Sequence, residues 1–155
     1  MSTPRSWRGP AAVAALLLAC GWPAAPAGAS GLSGDASPPT GQAYLSELAE
    51  RINAYRLTQG LAPLAPADEL VALANGHSQS MAALRQMSHE GFRQRFRSAG
   101  AKVCVENLGW NYPTPEGLLE GWRLSASHHR NLLEPRVARM GLAASGDYVT
   151  FFACR

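Results

Sequence analysis

The sequence contains no hydrophobic run long enough to cross a bilayer. The apolar run near its start, Ala11–Ala19, has nine residues, whereas a membrane-spanning helix needs about 20. Internal repeats are absent as well. A chain of 155 residues with these properties is expected to form one domain preceded by a removable leader.

A large excess of either charge is also missing. The chain has 14 Lys and Arg residues and 11 Asp and Glu residues, which gives a formal net charge of +3. Two of the arginines, Arg5 and Arg8, lie in the leader, so the processed chain is nearly neutral. The charge therefore gives no support for nucleic-acid binding. A local basic stretch is interpreted as a solvated helix face, with an anionic-partner site as the alternative; it contains Arg85, Arg93, Arg95, Arg97 and Lys102.

Several catalytic signatures are absent too. The sequence has no His-Glu-x-x-His motif, no Gly-x-Ser-x-Gly nucleophile elbow and no glycine-rich phosphate loop. Ser88 precedes His89, but adjacency in sequence does not place a hydroxyl on the neighbouring imidazole. Nucleophilic catalysis is therefore poorly supported, and a non-enzymatic protein is favoured over an enzyme.

Residues 1–29 have the features of a signal peptide: a basic start, the short apolar run and a small-residue cleavage site, AGA, at 27–29. The alternative is a loose lipobox, LLAC, at 17–20, which would make Cys20 a lipidated N-terminus. The protein is expected to be secreted or periplasmic, or alternatively a membrane-anchored lipoprotein. Membrane association is expected only if Cys20 is lipidated.

Residues 30–41 are rich in glycine, serine and proline and predict a flexible linker. The ordered domain is predicted to span 42–155. Three- and four-residue apolar spacing predicts helices from 42 to Gly60 and from 67 to 87. Shorter helices are predicted at 92–98, after Thr114 and at 128–133. The apolar stripe of the second helix places His77 on its buried face; it comprises Leu70, Leu73, Ala74, His77, Met81 and Leu84.

Strands are predicted late in the chain, at 103–110, 140–144 and 148–154, where β-branched and aromatic residues concentrate. Helices come first and strands follow, without βαβ alternation. This order predicts an α+β domain in which helices cover a small antiparallel sheet.

Cysteine is scarce, with three residues in the chain, and Cys104 and Cys154 are the two within the domain. In an exported protein an even pair predicts a disulfide. The bond would close a loop of about 50 residues and contribute about 3–4 kcal/mol through loop-closure entropy. Two buried thiols are the alternative.

Several short motifs occur in a fixed order. They are NAYR at 53–56, GLAPL at 60–64, ANGHS at 74–78, SH at 88–89, ENL at 106–108, WRLSASHHRNLL at 122–133 and YVTFF at 148–152. Together they resemble the bacterial branch of the CAP superfamily, which includes cysteine-rich secretory proteins, antigen 5 and plant pathogenesis-related proteins. The resemblance covers nearly all of residues 44–154. It implies a three-layer α-β-α sandwich, the CAP or SCP fold.

Members of that family commonly have a cavity lined by two His and two acidic residues, which in some binds a divalent metal. The resemblance implies that His89, Glu106 and His128 belong to this cavity and could ligate zinc. His129 stands where bacterial members have Arg, and is predicted to face solvent. The segment GDYVT at 146–150 replaces a Gly-His-Tyr-Thr segment of eukaryotic members, so the full eukaryotic ligand set is not expected.

The same residues also have a structural interpretation, a hydrogen-bonded polar cluster that fixes loops around a cleft. His77 is predicted to be a buried imidazole bonded to backbone, with a catalytic base as the alternative. Asn107 is predicted to cap a turn after its strand, with a substrate contact as the alternative. The candidate cleft therefore comprises His77, His89, Glu106, Asn107 and His128, and none is assigned as catalytic.

The favoured function is an exported, monomeric, non-enzymatic CAP domain that binds an extracellular ligand or an envelope partner. Lipids are one ligand class that the resemblance suggests. One alternative is a zinc-dependent hydrolase of extracellular peptides or envelope polymers, with Glu106 as base or ligand. Another is an interaction module tethered to the envelope through Cys20.

Overall fold

The computed structural model describes residues 41–155. The expected signal peptide, the lipobox cysteine Cys20 and nearly all of the expected linker lie outside the described residues. In the part of the chain that is described, no helix is both long and apolar enough to cross a membrane.

Residues 41–155 form five helices and four strands. The helices are α1 (Gln42–Thr58), α2 (Asp68–Leu84), α3 (Phe92–Ser98), α4 (Pro115–Leu124) and α5 (Ala126–Leu132). The strands are β1 (Ala65–Pro66), β2 (Cys104–Trp110), β3 (Arg139–Ser145) and β4 (Tyr148–Cys154). The predicted helices and the three predicted strands are all present, with ends shifted by up to three residues.

The four strands form one sheet in the order β1-β3-β4-β2. Strands β3 and β4 form an antiparallel hairpin, and β2 pairs antiparallel with β4 along its whole length. The two-residue strand β1 pairs parallel with β3 and was not predicted. Prolines on either side of Leu64 keep this connection extended, and its amides at Ala65 and Ala67 donate to the carbonyls of Ala138 and Met140.

Helices cover both faces of the sheet. On β4, Phe151 packs with residues of α1 and α4, whereas Phe152 packs with residues of α2. Successive side chains of a strand point to opposite faces, so this single strand supplies both halves of the core. The arrangement confirms the α+β class and the α-β-α sandwich.

Helix α2 lies directly on the backbone of β3. A β-carbon at Gly141 would overlap the backbone of Leu70, so the close approach requires glycine at this position. Ser78, which is buried, donates to the Ala143 carbonyl at 3.1 Å, and its hydroxyl oxygen lies 2.8 Å from the Thr150 hydroxyl, with which it shares a second hydrogen bond. These contacts fix the position of the adjacent His77.

Helix α2 ends three residues before its predicted end. Arg85 adopts a left-handed conformation with φ of 50°, and the amide of Gln86 bonds to the carbonyl of Met81, a common helix termination. The chain turns away here, so Leu84 is 72% exposed. The prediction that Leu84 belongs to the buried stripe was wrong.

Helix α5 is anchored to α1 through a buried arginine. Arg56 is 1% exposed and donates to the carbonyls of Ala62 (3.0 Å), Leu132 (2.7 Å) and Glu134 (3.2 Å). Burial lowers the pKa of this guanidinium. Arg56 on α1 therefore bonds to the C-terminal end of α5, the helix that carries His128, and fixes its position.

Cys104 and Cys154 face each other across β2 and β4 and form a disulfide, which confirms the sequence prediction. The bond joins the edge strand β2 to the last strand of the chain. Cys104 precedes Glu106 by two residues on β2. Side chains two apart on a strand share a face, so the disulfide and Glu106 lie on the same face of β2.

Candidate functional site

The polar residues predicted for the cleft come from four parts of the fold. His77 lies on α2, His89 in the loop before α3, Glu106 and Asn107 on β2, and His128 on α5. The other three parts meet beside β2, which is an edge strand of the sheet.

The carboxylate of Glu106 is the centre of this cluster, with its side chain 1% exposed. Arg95 on α3 donates to it twice, from Nε to Oε2 at 2.8 Å and from a terminal nitrogen to Oε1 at 2.9 Å. His89 adds a contact from Nδ1 to Oε1 at 2.9 Å, and Nε2 of His77 lies 3.9 Å from the same oxygen. A buried carboxylate requires such compensation, because desolvation of an unpaired charge is costly.

A tight turn before α3 brings His89 and Arg95 to Glu106. The Ser88 hydroxyl accepts from the Glu90 amide at 3.0 Å, and Gly91 has a φ of 75°, which glycine adopts readily. Arg95 also donates to the Glu90 carbonyl at 2.9 Å. The arginine therefore binds both the turn and the carboxylate.

His77 is buried, and its Nε2 donates to the Ser88 carbonyl at 2.8 Å. This confirms the prediction of a buried imidazole bonded to backbone. Burial lowers the pKa of His77, and the charge of Arg95 lowers it further, although Glu106 and the Ser88 carbonyl oppose the shift. The neutral imidazole therefore acts as a fixed donor to the turn.

Two asparagines connect β2 to α5. Asn107, which is fully buried, donates to the His128 carbonyl at 3.0 Å. Asn131 donates to the Asn107 side-chain oxygen and to the Glu106 carbonyl, both at 2.9 Å. The prediction that Asn107 caps a turn after the strand was wrong, since it lies in the middle of β2 and positions α5.

His128 is half-buried on α5, and its imidazole makes no hydrogen bond to another residue in the range 41–155. Burial lowers its pKa, and the charge of His89 lowers it further. His89 itself is 55% exposed. Of the two, His89 is the imidazole that lines the open cavity beside Glu106.

His129 points away from the cleft and is half-buried. Its Nε2 lies 2.7 Å from the Tyr55 hydroxyl, and the guanidinium of Arg123 stacks 4.7 Å from the Tyr55 ring. The prediction that His129 faces solvent was wrong, because the imidazole anchors α5 to α1.

The residues do not fit the divalent metal implied by the resemblance. Across residues 41–155, no three His, Cys, Asp or Glu side chains are placed to hold an ion. The proposed ligands His89, Glu106 and His128 are not assembled as a set, and the guanidinium of Arg95 already binds both Glu106 oxygens. A metal would have to displace a positive charge from a fully bonded site.

Sequence reasoning missed Arg95 and Asn131. Arg95 was grouped with a solvated basic face, yet its side chain is only 11% exposed. A signal was available, because Phe92, Arg95 and Ala99 recur at helical spacing, and all three are half-buried on one face of α3 and its C-cap. No local pattern marks Asn131, whose partners are more than 20 residues away.

Two open cavities flank the cluster. One of about 350 Å³ is lined by His89, Phe92, Cys104, Val105, Glu106 and Asn131. The other, of about 490 Å³, lies between α2 and the segment 86–95, and its lining includes His77 and Arg95. The first cavity is called the His89 cleft below.

The chain belongs to the CAP family, the cysteine-rich secretory protein family, whose sequence model matches residues 49–155. It is 30% identical over 113 residues to the uncharacterized protein YkwD of Bacillus subtilis, covering 68% of this chain and 44% of that protein. The chain thus spans less than half the length of this relative.

Solved structures share the fold. An extracellular protein containing an SCP domain from Bacillus anthracis matches with a TM-score of 0.69 at 23% identity, over 73% of this chain and 40% of that one. A cysteine-rich secretory protein from Staphylococcus aureus has a TM-score of 0.67 at 22% identity, over 72% of this chain and 38% of that one. An outer surface protein from Borrelia burgdorferi has a TM-score of 0.69 at 18% identity, over 74% of this chain and 93% of that one.

Replacing Glu106 with Gln is expected to lower the free energy of unfolding by about 3 kcal/mol, because it leaves the Arg95 guanidinium buried without a counter-charge. Urea denaturation monitored by circular dichroism measures the loss. Glu120→Gln is the matched control, since it breaks an exposed pair with Arg123 at 2.8 Å and should cost less than about 1 kcal/mol. Equal losses in the two variants would refute the central role of Glu106.

Stability is expected to fall as pH drops below about 6.5, because the folded-state pKa of His77 and of His128 lies below the ordinary value of 6.5. The unfolded chain then binds protons at higher pH than the folded chain does. The loss therefore begins near 6.5 and levels off below the folded-state pKa values.

Unfolding free energies at pH 7.5, 6.5, 5.5 and 5.0 would measure this slope. A His77→Gln variant should have a shallower slope than the wild type between pH 7 and 5. A wild-type stability that stays level or rises over this interval would contradict the prediction.

Proposed function

We propose that this protein is an exported, non-enzymatic CAP domain that binds an extracellular ligand through the His89 cleft. The observation that carries the proposal is the pairing of Glu106 with Arg95, at 2.8 and 2.9 Å. A carboxylate neutralised in this way is poorly suited to act as a general base or a metal ligand. Its remaining role is to position neighbouring groups.

The group it positions for a ligand is His89. The Nδ1 atom of His89 is held 2.9 Å from Glu106 while the side chain remains 55% exposed. In the neutral imidazole, Nδ1–H donates to the carboxylate, so Nε2 is left as an acceptor facing the cleft. Phe92 and Val105 line the same cavity, which favours a ligand with a hydroxyl or amide next to an apolar part.

An extracellular location is part of this proposal. The matched relatives include an extracellular protein and an outer surface protein, and the disulfide between Cys104 and Cys154 persists in oxidising compartments. The expected leader agrees with export. Attachment through a lipidated Cys20 is compatible with it, and membrane retention lost in a Cys20→Ser variant would establish that form.

A hydrolase is the second candidate, because an exposed imidazole oriented by a carboxylate is the arrangement of a general base. Against it, no hydroxyl or thiol side chain within residues 41–155 hydrogen-bonds to His89. A water molecule would have to serve as the nucleophile. Binding is therefore the better-supported function.

Zinc titration tests the metal-dependent form of the hydrolase. Wild-type protein is expected to bind zinc weakly in isothermal titration calorimetry at pH 7. An Arg95→Ala variant should bind about tenfold more tightly or better, because it frees Glu106 beside His77 and His89. Arg97→Ala, which removes an exposed arginine from the same helix, is the control and should behave as the wild type.

Tight binding of one zinc ion by the wild type, lost in a His89→Ala/His128→Ala double variant, would overturn the proposal and favour the metal-dependent hydrolase. Folding of each variant is checked by circular dichroism. An Arg95→Lys variant keeps the positive charge but cannot donate two parallel hydrogen bonds to one carboxylate. It provides a second comparison if Arg95→Ala is unstable.

Binding itself is tested by two-dimensional NMR with a library of small hydroxyl- and amide-bearing aromatic compounds. Hits should shift the amide signals of Phe92, Val105 and Asn131 together, and His89→Ala should abolish those shifts while Glu120→Gln preserves them. Shifts scattered over the surface, or unchanged in His89→Ala, would refute the assignment of the cleft. Turnover of a hit by wild-type protein alone would favour the hydrolase.

A further inference from the structure

A separate pocket lies at the end of β2 that is remote from the disulfide. It is open, has a volume of about 400 Å³, and is lined by Ala82, Arg85, Trp110, Gly146, Asp147 and Tyr148. None of these residues lines either cavity beside Glu106. The proposed function leaves this pocket, named the Trp110 pocket below, without a role.

Trp110 offers a fixed aromatic surface at this pocket. Its side chain is 52% exposed, whereas Trp122 is 2% exposed in the core. The indole lies 6.4 Å from the ring of Tyr148, with an interplanar angle of 34°, and Tyr148 is itself buried. Packing against a buried neighbour holds the exposed indole in place, so little side-chain entropy is lost when a ligand binds.

The backbone around this pocket is unusual. Arg85 and Asn111 are the two non-glycine residues with positive φ in the range 41–155, at 50° and 60°. Arg85 lines the pocket, and Asn111, next to Trp110, donates its amide to the Asp147 carbonyl at 3.0 Å. The position of Arg85 at a helix end usually carries glycine, because a side chain is strained there. Strained backbone conformations that cluster around one pocket indicate a functional site.

Two opposite charges line the pocket without pairing. Neither the guanidinium of Arg85 nor the carboxylate of Asp147 has a hydrogen-bond or ion-pair partner among residues 41–155. The pocket thus presents donors, acceptors and a flat apolar face together. A purely apolar ligand would leave both charges desolvated, and a strongly charged ligand would be repelled by one of them. A neutral polyhydroxyl compound satisfies both.

We propose that the Trp110 pocket is a carbohydrate-binding site. The ligand class is a neutral β-1,4-linked oligosaccharide, because pyranoses with equatorial hydroxyls present a flat face of C–H groups. That face would stack on the indole of Trp110 while ring hydroxyls accept from Arg85 and donate to Asp147. A pocket of about 400 Å³ accommodates one or two sugar rings. The site is independent of the His89 cleft.

The test is a titration of ¹⁵N-labelled full-length protein with cellotetraose and tetra-N-acetylchitotetraose, followed by NMR of the indole N–H signals. The Trp110 signal, assigned from a Trp110→Phe variant, should shift with saturation in the millimolar range or below. The indole N–H of Trp122, which donates to the Leu108 carbonyl at 2.7 Å, should not shift. Glycerol at matched hydroxyl concentration serves as the solute control.

Arg85→Gly provides the sharpest variant. Glycine relieves the left-handed conformation, so stability should rise or remain unchanged, while affinity for the saccharide should fall about tenfold through loss of the guanidinium. Asp147→Asn should weaken binding less, because the amide oxygen still accepts, and Trp110→Ala should abolish saturable binding. Leu124→Ala, an exposed apolar residue elsewhere, should bind as the wild type.

Three results would overturn the assignment. One is the absence of any Trp110 shift with either saccharide, and another is an equal shift with glycerol. The third is unchanged affinity in Arg85→Gly and Trp110→Ala. Because none of these variants alters the His89 cleft, failure here leaves the small-molecule binding test of that cleft unaffected.

Discussion

The burial of one carboxylate, that of Glu106, is the constraint on which the rest of the site depends. A buried charge is tolerated only when it is paired and hydrogen-bonded. Arg95 from α3 and His89 from the preceding turn satisfy the side chain, and Asn131 from α5 bonds to the carbonyl of the same residue. Two helices and a loop are thereby held against one strand, and the cleft lies between them.

The partner of this carboxylate decides what chemistry the site can support. With a free carboxylate beside imidazoles, a cleft of this shape could hold a zinc ion and an activated water. In this chain a guanidinium takes that place and is already bonded to both oxygens. The same fold therefore carries a site whose charge is balanced internally, and in the proposed function the exposed imidazole of His89 recognises the ligand.

Strand β2 organises most of what is distinctive about the molecule. Its first residue forms the disulfide, its centre carries the Glu106 cluster, and its last residue, Trp110, lines the separate Trp110 pocket. As an edge strand it is paired on one side only, so its other surroundings are free to form clefts. The central strands β3 and β4 are instead committed to the core on both faces.

The sequence by itself determined the order and type of the helices and of the three longer strands and the burial of His77, because these follow from local periodicity. It also predicted the disulfide, from two domain cysteines in a chain with an expected export signal. It could not locate β1, whose two residues form a strand only because β3 lies beside them. Nor could it assign Arg95, Asn107 or His129, since their roles rest on partners 11 to 74 residues away. Those pairings decide whether a set of imidazoles and a carboxylate becomes a metal site or a bonded scaffold, and only the tertiary structure contains them.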